Sequence, residues 1–310
     1  MHKKTTAQKS NSNQKIQNIM SRNYYRRRLV DKIVSAFAIA CVLAAIIPLG
    51  SILLEVIKNG ASAISIQLLT QPPGAIGATL ESSGGIAPAI QGTLIVVGLA
   101  SVIGVPVGVL AGIYLSEFAS GTGLFAAAVR LFNDVLTGLP SVVIGIVGYV
   151  TIVLAVGSFS VLAGAFSLSI IMIPIVVRIT EETLKVVPSS IREAGYSLGI
   201  SKWKITLFIV LKSAKSGVVT GIVLAISRIA GETAPLIMTI LGTSLFFSSF
   251  TKPIDALPLR IWRLASQPYD TAHSQGWGAA LLLIVIVLIS SVVLRFLVQR
   301  KGFKVKVLHV

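Results

Sequence analysis

Arg228 lies in an apolar run extending from about residue 216 to 241, and Glu232 follows it by one helical turn. At 1.5 Å per residue, a guanidinium about twelve residues into that run sits ~18 Å deep, close to mid-bilayer. Placing it there costs at least ~2.5–3.5 kcal/mol on insertion scales, so something must compensate. Two compensations are open. Arg228 and Glu232 can form an ion pair inside a helix bundle, or the planar guanidinium fork can face a polar path and bind an oxyanion. The two alternate if the pair opens when an anion arrives.

A second constellation, in the basic loop 181–215, points to mechanical work. Pro188-Ser189 marks a helix start, and Ser190-x-x-Glu193 has the form of a capping box. Ile191, Ala194, Gly195 and Leu198 then recur at i, i+3, i+4 and i+7, one apolar face about two turns long. Gly199 fits the left-handed position that ends a helix. Ser201 can cap a second helix, with Trp203 at the level indoles favour beside a membrane. A short apolar face in a charged loop must be covered, either by lipid or by a groove on a cytoplasmic partner. The small residues at 194 and 195 favour the partner, because they admit its side chains close to the backbone. Nucleic acid is not expected there: the helices are too short and too near the bilayer.

The elements that position these groups follow from composition. A mean hydropathy of +0.86, with 54% hydrophobic and 12% charged residues, excludes an ordinary soluble domain, where charged residues approach ~25%. The apolar residues fall into six blocks, about 33–54, 86–115, 139–158, 161–180, 216–241 and 278–298, and roughly twenty residues cross a bilayer. The third and fourth nearly merge, so five spans with one re-entrant piece is the alternative count. The expected class is an all-α polytopic membrane protein of about six transmembrane helices.

The +16 charge is distributed by side rather than spread. Nine Lys/Arg precede the first block, seven lie in or beside the 181–215 loop and five follow residue 294. Only Lys58, Lys252, Arg260 and Arg263 lie on the other side. The positive-inside rule then puts both termini and the basic loop in the cytoplasm of a cell-membrane protein. Residues 1–32 read as a basic disordered tail, 33–300 as the membrane domain and 301–310 as a second basic tail. Cys41 is the only cysteine, and His2, His273 and His309 have no ligand spacing, so no metal or cofactor is expected. No G-x-x-x-x-G-K-[ST] occurs, so this chain is not expected to bind ATP or act as an enzyme.

Gly104, Gly108 and Gly112, then Gly217 and Gly221, are spaced for close helix packing. Pro106, Pro174 and Pro235 are expected to kink spans. Within 116–138, Phe125, Val129, Phe132 and Leu136 mark an interfacial amphipathic helix, with Arg130 and Asp134 paired on another face. The outer segments 55–85 and 242–277 are rich in Gly, Pro, Ser and Gln, a composition suited to partner contact.

Glu193-Ala194-Gly195, Gly199, Ile209 and Leu211 resemble the E-A-A-x3-G-x9-I-x-L-P loop of ABC importer permeases. Two positions depart from it: Gly195 replaces the second alanine, at ~1 kcal/mol of helix propensity, and Lys212 replaces the proline. Arg228-x-x-Gly231-Glu232-Thr233-Ala234-Pro235-Leu236 is similar to the PstA-type permeases of phosphate importers. So are Gly112–Phe118, Leu139–Gly145, Pro174–Glu182 and Trp277–Leu281. The resemblance implies a type I ABC permease fold whose loop couples to an ATPase through Glu193, Ala194, Gly195, Leu198 and Gly199. It implies a PstC-like permease partner, a PstB-like ATPase dimer, an extracytoplasmic phosphate-binding protein, phosphate as cargo and contact with membrane lipid. By the same analogy Arg228 and Arg178 are candidates for the anion path, with Glu232 as modulating partner; snorkelling to headgroups is open for Arg178. A sulfate or molybdate permease, an ion-coupled secondary transporter using Arg228 and Glu232, and a membrane scaffold or phosphate sensor are the competing readings.

Overall fold

The chain has neither proline nor glycine before Pro48, and α1 runs from Lys3 to Ala63 without a break. The computed structural model describes residues 3–74, 84–119 and 123–299. It divides into two units, residues 1–57 and 58–310. In the first, helical backbone continues back through the basic tail expected to be disordered, where Lys, Gln and Arg are good helix formers. The tail 301–310 lies outside the described residues. Within α1, Val30–Ala63 is long and apolar enough to cross a membrane, and Phe37, Ile47 and Leu49 on it are exposed.

The second unit takes in the last residues of α1, and α2 (Ile66–Thr70) follows, capped by the Ser65 hydroxyl accepting from the Leu68 amide. α3 (Ala87–Ile113) continues through a π turn, Tyr114–Phe118. α4 (Leu124–Gly138) and α5 (Ser141–Gly148) follow; a π turn at Tyr149–Val153 then leads into α6 (Leu154–Val156). α7 (Val161–Lys185), α8 (Ser189–Ser197) and α9 (Lys202–Ile205) come next. A third π turn, Thr206–Val210, joins α9 to α10 (Leu211–Ala230). The chain closes with α11 (Ala234–Thr239), α12 (Leu257–Ala265) and α13 (Asp270–Gln299). No strand occurs among the described residues beyond two isolated bridges.

Five helical stretches are long and apolar enough to span a membrane: Val30–Ala63, Ala87–Phe118, Val161–Lys185, Lys202–Ala230 and Asp270–Phe296. The block expected at 139–158 is shorter than a full crossing. It occupies Ser141–Val156 and meets α4 at a 105° bend, giving a sixth span only if the bent pair counts as one. Two breakers set its limits. Pro140 holds φ −59°, ψ 136° before α5, and Gly157 takes the left-handed φ of 75° after α6. The block expected at 216–241 is displaced instead. Helix runs from Lys202 through Lys212, where the family motif has proline, and stops at Ala230. Pro235 therefore kinks no span; it opens α11 in the first turn, where its missing N–H costs nothing.

α7 is the central helix, with 61% of its apolar window buried against at most 28% for the other spans. Glycines set its neighbours' approach. A Cβ at Gly104 would lie 3.0 Å from Met172 Sδ, one at Gly108 2.6 Å from Val176 Cβ and one at Gly112 2.6 Å from Thr180 Cβ. α3 and α7 therefore run parallel at small-residue distance, as the four-residue glycine spacing requires. Gly217 meets Thr183 and Gly221 meets Ile179, so α10 runs antiparallel on another face of α7. One core is built on this arrangement, with Val96, Leu168, Met172, Ile229, Leu236 and Leu259 at its heart. A separate cluster gathers Ile113, Leu184, Val187, Ile205 and Val210 beneath the basic loop.

Candidate translocation path and coupling loop

The glycine register fixes the depth of Arg228. Each four-residue step along α10, from Gly217 to Gly221, moves four residues back along α7, from Thr183 to Ile179. Extended by seven residues, it sets Arg228 level with Met172, near the middle of the 25-residue α7. Arg228 is thus in the last turn of α10 but halfway along the bundle. Its Nη2 lies 3.4 Å from Glu232 Oε1, with the arginine side chain 59% exposed and the glutamate 16%. The ion pair expected from the sequence forms, yet it straddles a helix break: the Gly231 and Glu232 amides bond back to the Arg228 and Ile229 carbonyls. Among the described residues Glu232 pairs with the guanidinium, which has five N–H donors and so can offer others on the side away from Glu232.

Beside it, Ser227, Gly231, Ser291, Arg295 and apolar α13 side chains line a cleft of about 560 Å³. Ser227 Oγ and Ser291 Oγ are 3.0 Å apart across it. Arg178 is elsewhere, about two turns nearer the basic loop. It pairs with Glu182 at 3.0 Å, both side chains well exposed. Each candidate arginine has its own carboxylate at i+4, and the described contacts do not bring the two together.

In the loop, α8 starts at Ser189 as expected, but Pro188 is its N-cap and no side chain caps it, so the Ser190–Glu193 capping box does not form. Ser201 holds the N-cap of α9 without a side-chain bond. Gly199 is left-handed at φ 73°, as the helix end requires. The expected single apolar face is divided between two surfaces. Gly195 turns inward, where a Cβ would lie 2.8 Å from Ile205 Cδ1, and Ile191 packs on the inner cluster. Glu193, Ala194 and Leu198 are exposed, Leu198 at 78%. Gly195 is thus small for the sake of α9, and the outward surface is a carboxylate, a methyl and an isobutyl group.

Arg130 does not pair with Asp134. Its Nη2 reaches Glu181 Oε1 of α7 at 3.1 Å and the Leu115 carbonyl at 3.4 Å. Glu181 also accepts from Lys185 at 2.7 Å. On α4, Ala126 and Val129 face protein, whereas Phe125 and Phe132 point outward. A further pair was not visible in the spacing: Arg192 Nη2 and Nε donate to Glu117 Oε1 and Oε2 at 2.6 and 3.0 Å. An acidic residue closing a long apolar run is the one sequence signal that pointed to Glu117. Among the described residues, no three His, Cys, Asp or Glu side chains are grouped to hold a metal ion.

Residues 104–303 match the model of a family described as binding-protein-dependent transport system inner membrane component. The chain is 38% identical over 278 residues to a protein of Yersinia pestis named phosphate transport system permease protein PstA, covering 89% of this chain and 92% of that one. A protein of the same name from Xylella fastidiosa is 40% identical over 283 residues, covering 89% and 95%. The chain belongs to the PstA family of these inner-membrane components. The likeness extends to a probable PstA of the archaeon Methanocaldococcus jannaschii, 35% identical over 87% of this chain and 94% of its relative.

Solved structures agree on the fold. A bacterial alginate ABC transporter bound to its pentasaccharide-loaded periplasmic protein superposes with a TM-score of 0.58 at 14% identity, over 87% of this chain and 93% of its own. An inward-facing MetNI methionine ABC transporter gives 0.51 at 17% identity, over 70% and 92%. The chain is a multi-pass, non-enzymatic permease component of a binding-protein-dependent transport system.

Proposed function

We propose that this chain forms half of an ATP-driven import path for inorganic phosphate. The other half is a PstC-like permease, two PstB-like ATPases supply the energy, and an extracytoplasmic phosphate-binding protein delivers the anion. Both termini are cytoplasmic. The observation that carries this reading is the guanidinium of Arg228, more than half exposed at mid-length of an apolar bundle. Lipid cannot cover such a group at tolerable cost, so a second permease half and a polar path must. The free side of the guanidinium fork suits a tetrahedral oxyanion, and the relatives' phosphate-transport names support phosphate as that anion. Glu232 holds the arginine when no anion is present, and Arg178 lines the way towards the cytoplasm.

Coupling to the ATPase runs through α8. Glu193, Ala194 and Leu198 form the docking surface, which Gly195 seats on α9 and Gly199 terminates. The test is radiolabelled phosphate uptake into proteoliposomes holding the four-component membrane complex, with binding protein outside and ATP at the ATPases. Uptake should require ATP and resist competition by sulfate and molybdate. Uptake driven by an ion gradient without ATP overturns the proposal, and preferential transport of sulfate or molybdate overturns its choice of anion.

A further inference from the structure

Glu117 and Arg192 are 75 residues apart in sequence and joined by two charge-assisted hydrogen bonds. The Glu117 side chain is only 4% exposed. Arg192 uses its remaining reach on the end of α7, donating to the Val187 carbonyl at 2.7 Å and the Leu184 carbonyl at 3.0 Å. One guanidinium therefore ties α8, the end of α7 and the π turn closing α3 into a single block. Ile191 of α8 and Ile113 of α3 add apolar contact through the same buried cluster.

A nine-residue helix is too short to hold its shape or its orientation unaided. The inward side of α8 offers little beyond Ile191, Arg192 and Gly195, so the bidentate pair is its stiffest link to a long membrane helix. That geometry resists both rotation and slip, unlike an apolar contact. The π turn is gripped from a second side as well, since Arg130 of α4 donates to the Leu115 carbonyl.

We propose that the Glu117–Arg192 pair is the strut through which displacement of α8 moves the cytoplasmic end of α3, and with it α7, which packs along α3 at Gly104, Gly108 and Gly112 and carries Arg178. Both are positioning residues; neither touches the anion or the ATPase. The inference rests on the coupling role proposed for α8. Its first consequence is that α8 and α3 move as one body. Spin labels at Ser197→Cys and Leu110→Cys, both on exposed positions, in a Cys41→Ser background, should report the same distance with and without ATP. Glu117→Gln should make that distance change with nucleotide.

The second consequence concerns yield. In the proteoliposome complex, Glu117→Gln and Arg192→Lys should leave ATPase copurification and basal hydrolysis intact. Phosphate moved per ATP hydrolysed should fall at least tenfold. The double exchange Glu117→Arg with Arg192→Glu should recover part of that yield, a rescue that a disturbed fold would not give. A nucleotide-dependent distance in the unaltered complex, or an unchanged yield in Glu117→Gln, overturns the strut. So does loss of ATPase from the variant complexes, which would make the pair a mere support for the docking surface. Failure of the unaltered complex to transport with ATP overturns the underlying function instead, so the two failures are separable.

Discussion

Gly221 of α10 sits against Ile179 of α7 so closely that a Cβ at 221 would overlap the isoleucine Cγ2. The same contact sets the register that brings Arg228 to the level of Met172. Gly221→Leu should destabilise the chain by about 1–3 kcal/mol through overpacking, read as a lower Tm in detergent. Gly98 has nothing within 4 Å of its would-be Cβ, so Gly98→Ala should be neutral or stabilise by up to ~1 kcal/mol. Equal effects at both positions would remove the packing argument.

Arg228→Gln should abolish phosphate uptake while expression and assembly with the second permease stay normal. Arg228→Lys keeps the charge but loses the planar fork, and it should retain only a small fraction of the uptake rate. If both variants assemble poorly instead, the arginine serves only as an intramolecular tie to Glu232.

Leu198, the C-cap of α8, offers the most exposed large apolar side chain of the proposed docking surface. Leu198→Asp should weaken ATPase binding at least tenfold, or about 1.4 kcal/mol, with no change in Tm. Gly199→Ala acts differently. At φ 73° a side chain adds ~1–2 kcal/mol of strain, so this variant should lower Tm as well as transport. Calorimetric titration of the purified ATPase against each variant separates the two effects.

The outer segment carries a buried ion pair, Arg260 Nε to Asp255 Oδ2 at 2.6 Å. Burial pushes the Asp255 carboxyl above its usual 3.8, and the pull of Arg260 only partly opposes that. The sign follows from the raised value. Asp255 favours the fold in its neutral form, so its contribution is full below 3.8 and is lost as pH rises through the folded value. The Tm of the unaltered protein minus that of Asp255→Asn should therefore grow as pH falls from 7 towards 4. A difference that shrinks over that range would contradict the assignment.

The sequence by itself determined the class of this protein and the family it belongs to. Apolar blocks, sided charge, glycine spacing and the absence of an ATP-binding loop depend on composition and local order, and transfer to a membrane imposes them directly. The helix end at Gly199 and the Arg228–Glu232 pair were legible for the same reason: each is decided within one turn of chain. Tertiary structure decided which neighbours won. Glu181, 51 residues away, outcompeted Asp134 for Arg130, and the apolar face of α8 was divided because Ile205 claimed Gly195. The bent pair at Pro140 turned one expected span into a partial one, and the helix break after Ala230 displaced another towards the basic loop. Periodicity records that a face is apolar, whereas what covers it depends on contacts between segments far apart in the chain. The Glu117–Arg192 link is such a contact, and only the packed bundle brings its two halves together.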